Sequence, residues 1–143
     1  ILDSMISRAL PIRIMLLVIC TGLFFLTEPG AGLENEKMVL TRAVMCQGIE
    51  NFKPVRPAVV FPTSLGEVFC FSEFDPVREK TQIFHKWFKK DKLIFTMRLT
   101  LSPPKWSSFS KIQIRDADKG PWRVEIRTAD NRLLDTLRFG MSD

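Results

Sequence analysis

The stretch Leu93–Leu101, LIFTMRLTL, sets the reading of its neighbours. Its apolar residues recur at every second position. Leu93, Phe95, Met97, Leu99 and Leu101 share one parity, and Ile94, Thr96, Arg98 and Thr100 share the other. Successive side chains of a β-strand point to opposite faces, so this period marks a half-buried antiparallel strand rather than a helix. Just upstream, TQIFHKWFK (Thr81–Lys89) alternates in the same way, with Ile83, His85 and Trp87 on one parity. The polar KKDK between the two runs reads as a tight hairpin connection.

The same period extends in both directions. In WRVEIRT, Trp122, Val124 and Ile126 are expected inward, with Arg123, Glu125 and Arg127 outward. GEVFCFSEF is apolar on both parities over its first half, which suits a central strand. KMVLTRAVMCQGI opens the fold as one long strand, and AVVF is a short one between prolines. Turn-forming clusters (FPTSLG, FDPVRE, SPPK, DADKGP, ADNR) separate these runs, and ADNR predicts a second hairpin over Pro121–Phe139. No helical stripe exceeds about a turn, around DPVREK. The expected fold is all-β: an antiparallel immunoglobulin-like β-sandwich of about seven to eight strands, forming one domain over residues 32–143.

The 143-residue chain begins differently. Met5 reads as a natural start, and Arg8 and Arg13 precede a charge-free apolar run at residues 14–26, followed by EPGAG. Basic, apolar, then small is the order of a secretory signal peptide, expected over residues 1–31 with cleavage near Ala31 or Gly32. The run is shorter than the roughly 20 residues that cross a bilayer, so no membrane span is expected after cleavage. Cys20 follows Ile19 rather than a small residue, which argues against lipid attachment. A periplasmic or secreted location is expected. In an oxidising compartment Cys46 and Cys70 are a disulfide candidate, with two buried free thiols as the alternative. The net charge of +5 gives a mild attraction to anionic surfaces. Bases alternate with acids along the chain, so nucleic acid is not an expected partner.

The sequence is poor in reactive groups. It holds one histidine, His85, whereas a hydrolytic metal site takes three protein ligands. There is no G-x-S-x-G elbow. The expectation is therefore no catalysis, no metal and no cofactor, with His85 packed beside Trp87 and donating to a backbone carbonyl or carboxylate. The alternatives give His85 a role as ligand contact or as the base of a small hydrolase. Twelve phenylalanines and no tyrosine make a core-filling aromatic set, and Trp122 alternates with core residues. Trp106, after SPPK in an expected loop, is the best candidate for an exposed sugar platform. HKWFKKDK gathers Lys86, Lys89, Lys90 and Lys92 at one hairpin tip. That tip is a candidate contact for lipid headgroups, an anionic cell-wall polymer or an envelope protein, or else a solvated turn that guards an edge strand.

An ordered set of marks runs through the second half: Phe69 and Phe71, then His85 and Trp87, then Trp106 with Ser110 and Lys111, then Gly120 with Trp122. Over roughly Gly66 to Leu134 this order resembles the bacterial DUF2914 family, a domain of unknown function, and Thr41–Pro62 resembles the extension that often precedes it. Ser107 stands where that family often has an arginine after the middle tryptophan, so a ligand held by that arginine does not carry over. The resemblance implies a β-rich, often extracytoplasmic domain and implies no activity. The function expected is an exported, non-catalytic binding or assembly module of the bacterial envelope. A carbohydrate-binding module using Trp106 and a hydrolase using His85 stand as alternatives.

Overall fold

A computed structural model of the chain describes residues 36–143, and the expected signal peptide at 1–31 lies outside them. The described residues form nine strands: β1 (Met38–Glu50), β2 (Lys53–Pro57), β3 (Val60–Pro62), β4 (Glu67–Val77), β5 (Thr81–Lys89), β6 (Lys92–Leu101), β7 (Trp106–Gln113), β8 (Gly120–Thr128) and β9 (Leu133–Ser142). Short 3₁₀ turns occur at Thr63–Leu65 and Asp116–Asp118. One sheet has the order β2–β1–β4–β7 and the other β3–β9–β8–β5–β6. β4, apolar on both parities, is central as its sequence required.

Three details depart from the expected arrangement. The strand beyond the expected count is β2, KPVRP, whose two prolines mask it in the sequence. It lies at the edge of its sheet, where a missing N–H costs no ladder bond. The pairing is not wholly antiparallel, because β3 runs parallel to β9, with Phe61 opposite Met141. Leu93 does not point inward with Phe95. A register slip between Trp87 and Phe88 sets Leu93 opposite Phe88, and it is 48% exposed.

The two sheets enclose one core. Met45, Val68, Cys70 and Phe74 from the four-stranded sheet cluster with Ile83, Trp87, Val124, Ile126, Phe139 and Met141 from the five-stranded one. Phe139 meets Trp87 edge-on at 5.9 Å between centroids and stacks on Trp122 at 6.2 Å. Each large side chain removed from water in this way contributes on the order of 1.5–3 kcal/mol.

Two hairpins share one turn geometry. Lys90 and Asp91 join β5 to β6 with φ of 46° and 65°, and Asn51 and Phe52 join β1 to β2 with φ of 49° and 59°. Positive φ at both central residues is the type I′ turn, whose twist matches that of the strands.

Candidate functional site

His85 lies midway along β5 on its inward face and is fully buried. Its Nδ1 is 2.7 Å from Ser110 Oγ on β7, and its Nε2 is 3.0 Å from Ser72 Oγ on β4. Trp87 Nε1 donates to the same Ser110 Oγ at 2.9 Å. With Ser110 accepting from Trp87, the network is satisfied when its hydroxyl donates to Nδ1 and the imidazole Nε2–H donates to Ser72. Burial pushes the histidine pKa down to about 3, which keeps the ring neutral. The expected carbonyl or carboxylate partner is thus replaced by two serines. A ring without solvent access and with so low a pKa is no base for an external substrate at neutral pH. Trp87 is also fully buried, so neither residue presents a surface to a ligand.

Ser72, and the role of Ser110 as a partner of His85, were the part missed in the sequence. Their signal was parity: Ser72 alternates with Cys70 and Phe74, and Ser110 with Ser108 and Ile112, all on inward positions. Ser108 Oγ, on the same face, is buried without a hydrogen-bond partner among the described residues.

The expected disulfide is overturned by register. Met45 pairs with Cys70 while Cys46 pairs with Phe69. Cys70 therefore faces the core, and Cys46 faces the opposite side of the same sheet, because a one-residue offset reverses the side-chain direction. Both are free, buried thiols. Cys46 Sγ donates to the Gly48 carbonyl at 3.2 Å. Burial raises the pKa of both thiols, that of Cys70 strongly, with further upward pushes on Cys70 from Cys46 and Asp135.

The basic tip is likewise not one cluster. Lys89 turns to Asp118, with Nζ 3.2 Å from Oδ1, and lies 5.8 Å from the centroid of the Trp122 ring. Asp118 accepts the Arg115 backbone N–H at 2.8 Å, and its carbonyl takes the Trp122 indole N–H at 2.7 Å. Burial pushes the Asp118 carboxyl up, but the Arg115 N–H and the Lys89 ammonium outweigh it and leave the pKa below the ordinary value. Lys86 points to the outer face of the sheet, 3.5 Å from Asn131 Oδ1. Lys90 and Lys92 remain exposed at the turn.

Trp106 opens edge strand β7 rather than lying in a loop, and it is 43% exposed. It lines a cleft of about 350 Å³ with Phe52, Asn51, Lys53, Glu73, Lys105 and Ser107. Phe52 is 77% exposed and sits in left-handed backbone, where a side chain costs roughly 1–2 kcal/mol. The favoured residue at this turn position is glycine. The fold thus holds an aromatic ring in water at a position that disfavours any side chain. Backbone strain of this kind concentrates at binding and active sites. Phe52 was not singled out in the sequence, because the turn that strains it is seen only once β2 is recognised as a strand.

Among curated proteins, none matches the chain. Residues 80–141, which run from β5 into β9 and include His85, Trp87, Trp106 and Trp122, match the family model described as Protein of unknown function (DUF2914), the family that the order of marks in the sequence resembles.

Proposed function

We propose that this chain is an exported, non-catalytic binding module of the bacterial envelope, built on an immunoglobulin-like sandwich, with its ligand held between the β1–β2 turn and the start of β7. The single observation that carries the reading is the exposed, strained Phe52 sharing a cleft with Trp106. Export rests on the basic, apolar and small order of residues 5–31. The sandwich is supported by four strands facing five across one apolar seam. The hydrolase alternative depends on His85, and a buried neutral ring locked between two serines gives it no support.

The test is retention of the full chain by a washed bacterial envelope fraction, together with fractionation of the producing cell. The expected result is an extracytoplasmic protein whose retention is lost in Trp106→Ala. A cytoplasmic protein, or one that Trp106→Ala retains as well as the parent does, overturns the reading.

A further inference from the structure

We infer that the Phe52–Trp106 cleft binds a pyranose oligosaccharide, stacking the C–H face of a ring on one or both aromatic side chains. This rests on the proposal that the cleft is the ligand site, and adds the chemistry of the ligand.

The composition of the cleft carries the inference. Its two aromatic side chains are exposed, and among the described residues neither is in ring contact with another. Around them stand Asn51, Lys53, Glu73 and Lys105, a set with both donors and acceptors. Elsewhere the charged side chains of this fold tend to be engaged: Lys89 with Asp118, Lys111 with Glu67, and Arg123 and Arg127 with Glu125. In the cleft, among the described residues, none of those four side chains makes a hydrogen bond or ion pair that the protein supplies. Apolar rings with uncommitted polar groups around them match a molecule that is apolar on one face and hydroxylated at its rim, which is a pyranose. A lipid tail leaves the polar groups unsatisfied, and that is costly once water is excluded. The volume lies at the small end of the range for ligand clefts, room for a short segment of a chain.

The protein carries its own probe. Trp87 and Trp122 are buried, so acrylamide quenching of indole fluorescence reports Trp106. The full chain is titrated with trisaccharides of N-acetylglucosamine, glucose and galacturonic acid. At least one is expected to shield Trp106 from quenching. Phe52→Gly, which installs the residue the turn prefers and so keeps the fold, is expected to weaken that binding about tenfold. Trp106→Phe keeps a stacking ring and is expected to retain binding, read by calorimetry. If no trisaccharide shields Trp106 while envelope retention still depends on it, the sugar assignment is overturned and the cleft reading stands. If retention survives Trp106→Ala, the two fall together.

Discussion

His85 Nδ1 lies 2.7 Å from Ser110 Oγ across the space between the two sheets. With the Ser72 contact on the other ring nitrogen, this histidine ties β5 to both β4 and β7. Ser110→Ala deprives His85 Nδ1 and the Trp87 indole N–H of their shared partner at once. Each buried group left unpaired costs about 1–3 kcal/mol, so the variant is expected to lose more stability than Ser72→Ala, which frees only Nε2. Trp87→Ala is expected to lose about 3–5 kcal/mol through the cavity it leaves. Denaturant melts of the three variants check the ranking, and a Ser110→Ala melt that matches the parent refutes the network.

The same ring predicts a pH dependence. Its pKa is about 3 in the fold, against about 6.5 in the unfolded chain. Between those values the unfolded chain binds a proton that the folded chain excludes, so acidification favours unfolding. The stabilisation is complete above about pH 6.5 and declines as the pH falls toward 3, at a slope approaching 1.4 kcal/mol per unit. The carboxylates of Asp118 and Glu125, both held below their ordinary values, lose their contributions only at lower pH. The slope between pH 6.5 and 4.5 therefore belongs to His85. Urea melts across that window are expected to flatten in His85→Gln, and an unchanged slope in that variant removes the assignment.

The thiols give a covalent test. With Cys46 and Cys70 on opposite faces of one sheet, non-reducing mass spectrometry after denaturation is expected to show both alkylated. In the native state both are expected to resist alkylation, because they are buried and their pKa values are raised. The melting temperature is expected to be the same with and without reductant. A mass two protons short, with both thiols blocked, refutes the register.

The inward set Ile83, His85 and Trp87 was legible in the sequence because parity is a purely local property of a strand. The β5–β6 and β8–β9 hairpins were legible because polar turn residues break the alternation on either side. What was hidden depends on register between strands distant in sequence. Cys46 and Cys70 are 24 positions apart in the chain, and only the pairing of Met45 with Cys70 decides which way each sulfur points. The slip at Phe88 that turns Leu93 outward is likewise invisible in an alternating pattern. Lys89 reads as one more lysine of a basic tip until the turn at Asp116–Asp118 folds back beneath it. Trp106 was legible as an exposed aromatic, whereas its neighbour Phe52 was not, since the sign of its φ is set by a hairpin partner strand containing two prolines.

That turn yields the last prediction. Asn51, at φ of 49°, is of a residue type enriched in left-handed backbone, whereas Phe52 at 59° carries the full clash of Cβ with the following carbonyl. Phe52→Gly gives Asn-Gly, the preferred pair for a type I′ hairpin. Glycine loses more backbone freedom on folding, about 0.5–1 kcal/mol, which cancels part of the strain relief. A net gain of about 1 kcal/mol remains, raising the melting temperature by about 4 °C in a domain of this size. The ring itself offers little packing to oppose the gain, since it is exposed. Gly66 and Gly120 hold positive φ with glycine, while Arg56, Lys90, Asp91 and Asn131 hold it without, none of them with an aromatic ring. A destabilised Phe52→Gly means that the ring is packed rather than presented, which removes the premise of the cleft. A more stable variant that has lost its ligand shows a side chain kept at the expense of stability for what it binds.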